Sequence, residues 1–361
     1  MIAHWRGLSE LRPLSHFCRL PRFQRHLLNN KSIISLGNTE VMGFMPEKND
    51  DYISVLGGSN MDIIGFPYKD FIPEDSNPGR IKAALGGVGR NIAENLVHFG
   101  VPTKLISAIG DDIYGKIILE HANSIGLDMN SSLVLNQTPT STYLAILDEK
   151  GDMKAAISNM DILDEITVEF IQDKKQVIEN SKICIIDTNM PTDIINYVLD
   201  NFKNTDFFLD TVSGSKARKV KNNIGAFHTI KPNRIEAEIL SDIKIDSFAN
   251  MIKASEYFLS KGVKRVFITL GAEGVFYNDG NVYKLIPSPE IKVINATGAG
   301  DAFLAALAFC HFKDYGIDES ARFSITAAIL ALSCEETINP NISEENVKKK
   351  MKEIGLCWKN I

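Results

Sequence analysis

The chain has 361 residues, 44% of them hydrophobic and 23% charged, a globular composition with length for one large domain or one domain and a small appendage. A net charge of -6 gives no general attraction to nucleic acid or anionic membrane, and no apolar run approaches the roughly 20 residues that span a bilayer. The five cysteines (Cys18, Cys184, Cys310, Cys334 and Cys357) are scattered without paired spacing, which argues for a reducing compartment and against a zinc site or disulfide framework.

Residues 1–44 hold six Lys or Arg against two acids. This basic leader reads either as an organellar transit segment or as an upstream extension, disordered or processed, ahead of a working protein that starts near Met45. The extension is the preferred reading, because clear patterning begins only at Tyr52, and the expected compartment is the cytoplasm.

From Tyr52 onward, short apolar runs alternate with amphipathic stretches. The first strand, 52–56, runs into Gly58-Ser59-Asn60-Met61-Asp62, where a carboxylate at a strand end suits a sugar-hydroxyl acceptor or a plain turn. An extended stretch, 61–85, leads to Gly86-Gly87-Val88-Gly89-Arg90-Asn91, which opens a helix over 88–99 capped by Gly100. Its glycines permit close approach of a ligand, and Asn91 would lie one turn inside, aimed back at the mouth. A strand is expected at 104–109. The following Gly110 to Lys116 has the spacing of a phosphate-binding loop, but Ile117 stands where a magnesium-binding Ser or Thr is required, so it reads as a turn into a helix over 114–124.

Two strand-like segments, 141–147 and 152–158, are joined by Asp148-Glu149-Lys150-Gly151 and predict a hairpin, which does not belong inside a βαβ sheet. With 61–85 it would make a small sheet placed as a lid over the strand ends, spanning about 61–85 and 140–159. Beyond it, strands are expected at 183–187, 207–210, 229–230 and 266–270, with helices at 165–178, 193–201 and 247–260 between them. The whole reads as an α/β fold, a doubly wound, mostly parallel sheet flanked by helices. The run Lys231 to Glu238 sets Asn233 and Glu236 three apart, suiting either the oxygen shell of magnesium or a helix-capping pair. Thr269-Leu270-Gly271-Ala272-Glu273-Gly274 is a strand entering a glycine turn, beside nucleotide phosphates or simply a β-turn. Last comes Asn295-Ala296-Thr297-Gly298-Ala299-Gly300-Asp301, opening a small-residue helix over 302–311. Bare backbone at a positive helix end can hold an anion, and a carboxylate there can take a proton from an attacking alcohol; the plainer alternative makes Asp301 a helix N-cap.

This ordered set closely resembles the ribokinase-like (PfkB) family of carbohydrate and nucleoside kinases over roughly residues 52–345. Stretches 75–82, 86–93, 228–234 and 331–335 carry a nearer likeness to a nucleoside-kinase branch of it. The resemblance implies ATP and Mg2+ as cofactors, a small-molecule nucleoside as acceptor, no nucleic-acid or membrane partner, and a homodimer paired through the lid. It implies that Asp301 is the base, with the amides around Gly298, Ala299 and Gly300 as the anion hole. Asn60, Asp62, Gly87, Asn91 and Asn189 would hold the ribose, and Ser141, Tyr143 and Asn159 would meet the base of the nucleoside. Asn233 and Glu236 would organise magnesium, Thr269, Gly271 and Gly274 would line the ATP phosphates, and Ala328 would begin an adenine-lining region reaching Asn339. Asn295 stands where many relatives carry Asp in a loop that binds a monovalent cation, so potassium (K+) activation is left open. Another ribose or nucleoside kinase is the alternative within the class; a noncatalytic ligand-binding regulator of the same fold is the alternative outside it, and the intact Asp301 with its glycine loop speaks against the latter.

Overall fold

A computed structural model describes residues 51–148 and 151–357; the expectations for residues 1–44 lie outside these. Strand β1 (Ile53–Leu56) is followed by the antiparallel pair β2 (Asn60–Pro67) and β3 (Gly79–Gly86) and by helix α1 (Val88–His98). Then come β4 (Thr103–Ile106), β5 (Ala108–Gly110), α2 (Ile113–Ile125), β6 (Leu133–Leu135) and the hairpin β7 (Thr142–Leu147) with β8 (Met153–Asn159). The next stretch supplies α3 (Val168–Asp173), α4 (Lys175–Glu179), β9 (Ile183–Asp187), α5 (Thr192–Asn201), β10 (Asp206–Asp210), α6 (Gly214–Ala217) and β11 (Thr229–Ile230). The chain continues through α7 (Arg234–Ser241), α8 (Phe248–Lys261), β12 (Arg265–Thr269), β13 (Val275–Asn278) and β14 (Tyr283–Ile286), and closes with α9 (Ala299–Phe312), α10 (Ile317–Leu332) and α11 (Glu344–Glu353).

Among the described residues the main sheet runs β14-β13-β12-β11-β10-β9-β1-β4, parallel from β12 to β4 with β13 and β14 antiparallel at one edge. The apolar strands are continuous because both faces are covered. In β9, Ile183 and Ile185 join the core under α1, α9 and α10, whereas Cys184 and Ile186 join the core under α5, α7 and α8. The chain leaves β1 for β4 on one side and later returns to β9 on the other, so the strand ends around β1 are a topological switch point, where α/β folds bind ligands.

A second sheet, β3-β2-β7-β8, is built from the two segments expected to form the lid. The stretch 61–85 is two antiparallel strands rather than one extension, and the turn residues Glu149 and Lys150 lie outside the described residues. The expected strand 104–109 is divided: the chain leaves the main sheet at Ser107, whose backbone is taken by Ser132 and Leu133, and β5 pairs with β6 instead. The expected helix 165–178 is also divided, since Thr167 caps a fresh start for α3 and the helix breaks again at Lys174. Asp112 caps α2 and also accepts from Thr140, so the phosphate-loop lookalike is indeed a helix-entry turn.

Candidate active site

Three parallel strands end in groups that converge at the switch point. Asp187 closes β9, fully buried, and accepts from the backbone N–H of Gly58 (2.8 Å) and of Asn189 (2.8 Å). Burial raises its pKa, and these two bonds offset part of the rise. Asp210 closes β10 and faces the Lys231 ammonium, just past β11, at 3.1 Å. Burial by itself would lower Lys231, but Asp210, Glu236 and Asp301 outweigh it, so the ammonium is held charged.

Gly298 begins α9 with φ of 82°, and a side chain there would collide with the Thr337 carbonyl, so only glycine fits. Asp301 is therefore the third residue of the helix and not its N-cap, which corrects the plainer alternative. The N–H groups of the first turn have no acceptor within the helix and face an exposed mouth at Gly300, against which Lys231 packs: a Cβ on Gly300 would lie 3.3 Å from its Nζ. Asp301 Oδ2 accepts from Asn91 Nδ2 at 2.8 Å. Burial, then the charges of Asp210 and Asp187, push its pKa up to about 7, against the pull of Asn91 and Lys231. A carboxylate that ionises near neutrality, beside open amides and a buried cation, can take a proton from an alcohol while an anion arrives.

Helix α1 supplies the opposite wall. Gly87 sits at φ of 98°, tight against the Gly58 backbone, and the missing side chain of Gly86 leaves room for the Asp62 carboxylate, which accepts from Asn60 at 2.6 Å. Burial raises the pKa of Asp62, with Asn60 and Arg90 opposing. Asn189 lies against Gly58 and accepts from Lys216 Nζ at 2.5 Å.

Strand register sorts the remaining expected residues. Tyr143 pairs with Asp62 and Ser158, so these share one face of the smaller sheet. Ser141, buried at the root of β7, has a hydroxyl with no hydrogen-bond partner. Asn159 is not brought to this face: it pairs with Thr142, points to the other side and accepts from Asp161 N–H at 3.4 Å. Ser158 is the β8 residue of the Asp62 face, and only the register reveals it.

Asn233 and Glu236 form a capping box at the start of α7, and Glu236 Oε2 also accepts from Thr211 at 2.5 Å. Thr269 bridges to Asn233, bringing the end of β12 beside that helix start. Gly271 (φ of 61°) and Gly274 (φ of 109°) make the turn into β13, and Ala328 lies half-buried on α10 against the core. Asn295 accepts from Thr297 N–H and donates to the Glu335 carbonyl at 3.2 Å, closing its loop with its own amide. Lys231, Asp210, Asp187 and Arg90 were assigned no role from the sequence. The aspartates ending two successive apolar runs were the available signal.

The pfkB family carbohydrate kinase model matches residues 50–344. Pseudouridine kinase of Escherichia coli strain K12 is 39% identical over 298 residues, covering 82% of this chain and 95% of that protein. Ribokinase of Haemophilus influenzae is 25% identical, covering 78% and 92%. Among solved structures, a sugar kinase from Clostridium perfringens superposes with a TM-score of 0.78 at 43% identity, covering 85% of this chain and 97% of that one. Arabidopsis thaliana ribokinase complexed with ribose and ATP superposes at 0.73 and 22% identity, covering 84% and 99%, a likeness of fold.

Proposed function

The chain belongs to the pfkB family of carbohydrate kinases and is an ATP-dependent sugar or nucleoside kinase, and from that premise we propose that it phosphorylates the 5′-hydroxyl of pseudouridine, yielding pseudouridine 5′-phosphate and ADP. The observation that carries the reading is the Asn91–Asp301 hydrogen bond at the open mouth of α9, which sets a near-neutral carboxyl beside bare amides. Asp301 removes the hydroxyl proton as the ribose oxygen bonds to the γ-phosphorus and the bond to the ADP oxygen breaks. The amides of the Gly298, Ala299 and Gly300 turn and the Lys231 ammonium meet the charge that spreads over the transferring group.

In this reading Asn60, Asp62, Gly87, Asn91 and Asn189 grip the ribose, supported by the Asn60–Asp62 and Asn91–Asp301 hydrogen bonds and by the closeness of Gly87 and Asn189 to Gly58. Tyr143 and Ser141 face the base of the nucleoside, with Ser158 in place of Asn159. Thr269, Gly271 and Gly274 border the ATP phosphates and the region from Ala328 the adenine. The oxygen donors near α7 fit magnesium: Glu236 keeps Oε1 outside its capping box, and Asn233 is exposed, a set suited to holding the ion through water. When bound, Mg2+ would neutralise phosphate charge. The loop of Asn295 is closed by its own amide, and no step is routed through a monovalent cation. We further infer a cytoplasmic homodimer paired through the smaller sheet.

The test is a panel of pseudouridine, uridine, inosine and ribose with ATP and magnesium, using protein that starts at Met45. Pseudouridine should give the highest kcat/KM by at least about tenfold, a gap of roughly 1.4 kcal/mol in transition-state stabilisation. If uridine or ribose is turned over as well as pseudouridine, the substrate is misassigned.

A further inference from the structure

Arg90 stands one residue before Asn91 on α1 and is 3% exposed. Its guanidinium is engaged on every side. Nε donates to the Gly86 carbonyl (2.9 Å), Nη2 to the Leu85 carbonyl (2.9 Å) and to Asn91 Oδ1 (2.6 Å), and Nη1 to Glu94. Glu94 is itself buried and is contacted by His121 Nε2 at 3.1 Å and His98 Nε2 at 3.7 Å.

The chemistry of this chain of contacts is directional. An asparagine amide has an acceptor end and a donor end of nearly equal shape, and nothing in its own geometry decides which faces which neighbour. Arginine has donors only. It therefore claims the oxygen of Asn91, and the amino end is what remains for Asp301 Oδ2 at 2.8 Å. Were the amide reversed, two acceptors would face each other and ionised Asp301 would be penalised.

We propose that Arg90 is a positioning residue for phosphoryl transfer, fixing the sense of the Asn91 amide so that Asp301 accepts on Oδ2 and offers Oδ1 to the acceptor hydroxyl. The same fork holds the Leu85 and Gly86 carbonyls, so the end of β3 and the base are set by one side chain. A lysine cannot substitute, because a single ammonium lacks the planar fork that reaches these oxygens together. The proposal rests on Asp301 being the base.

The test reads Asp301 directly. In protein labelled with 13C at the aspartate carboxyls, the Asp301 resonance is assigned by its loss in Asp301→Asn and followed against pH. Arg90→Gln and Arg90→Lys should each move its midpoint up by about one unit, the size expected for losing a donor to a charged oxygen. On whichever acceptor the wild type uses, kcat should drop by about tenfold or more while the KM for ATP holds. Because removing Arg90 alone leaves Glu94 buried without its partner, the paired change Arg90→Met with Glu94→Leu gives a neutral core of similar volume and should show the same upward shift. An Asp301 midpoint unchanged in these folded variants overturns the proposal. Failure of the wild type to use pseudouridine would refute the substrate assignment and leave the titration intact.

Discussion

Asp301 is caught between opposing influences: burial and the charges of Asp210 and Asp187 favour its protonated form, and Asn91 and Lys231 favour the carboxylate. The balance at about 7 fixes two pH dependences. As a base it works only when ionised, so kcat/KM should fall about tenfold per unit below pH 7 and level off above it, and Asp301→Asn should lose about a hundredfold or more in turnover while still binding ATP. For folding the sign is opposite. A carboxyl raised above its unfolded pKa favours the native state fully at low pH and loses that contribution as pH rises through about 7, so Asp301→Asn should gain more in Tm at pH 8 than at pH 5. Activity that stays level from pH 7 down to pH 5, or near-normal turnover of Asp301→Asn, removes Asp301 from the chemistry.

Residues of this kind were legible where a glycine motif advertises them. Asp301, Asn91 and Asp62 each lie beside glycines whose missing side chains the fold requires. Lys231 and Asp210 were not, since 21 positions separate them and only the order of β10 and β11 sets them 3.1 Å apart. Asn159 was misplaced by parity. A pairing register one residue away moves a side chain to the opposite face, and local composition carries no record of register.

Elements were read well where apolar runs and capping residues agreed, as in β9, α5 and α1, and poorly where tertiary contacts cut a uniform run. Ser107 interrupts an apolar stretch that looks continuous, because Ser132 offers its backbone a partner 25 positions away. The antiparallel edge, β13 and β14, escaped notice because its alternation is short. At the opposite end of β10 from Asp210, Asp206 meets His311 Nε2 at 2.8 Å and His228 Nε2 at 4.0 Å, with Phe208 stacked on the His228 ring. The trio has the composition of a metal site, but the Arg265 guanidinium 3.5 Å from His311 Nδ1 opposes a cation and supports a hydrogen-bonded clasp between β10, β11 and α9. Burial lowers His228 to about 4, with His311, Arg265 and Lys264 adding to the effect and Asp206 resisting. A histidine depressed below its unfolded value of about 6.5 leaves the native state stable above that pH and weakens it as pH falls toward 4. Denaturation midpoints of the wild type should therefore fall between pH 6.5 and 4, and His228→Gln should flatten that decline. An equal acid sensitivity in the variant would assign it to other groups.

At the scale of the molecule, the smaller sheet has one face that the described residues leave without cover. One face carries Asp62, Ala84 and Tyr143. On the other, the register lines up Ile63, Leu144 and Ile157 in one row and Ile81 with Ile146 in the next. Ile81 is 77% exposed, Ile157 68% and Leu144 40%, and Ile81 and Leu144 line a cleft of about 400 Å³ that also takes in Phe66 and Phe71. A contiguous apolar face of this kind on a four-stranded sheet marks an association surface. A second copy is the occupant proposed above, since a twofold axis would set the apolar rows of two identical faces against each other. Cover over this face would also stiffen the strands that carry Asp62 and Tyr143, so loss of the dimer should raise the KM for the nucleoside more than it lowers kcat. Light scattering at micromolar concentration should give the mass of two chains, and Leu144→Glu, which sets a charge in the middle of the apolar row on each copy, should give one. A wild-type protein that remains monomeric at tens of micromolar, or a Leu144→Glu variant that still pairs, would show that this face is covered by something other than a second copy.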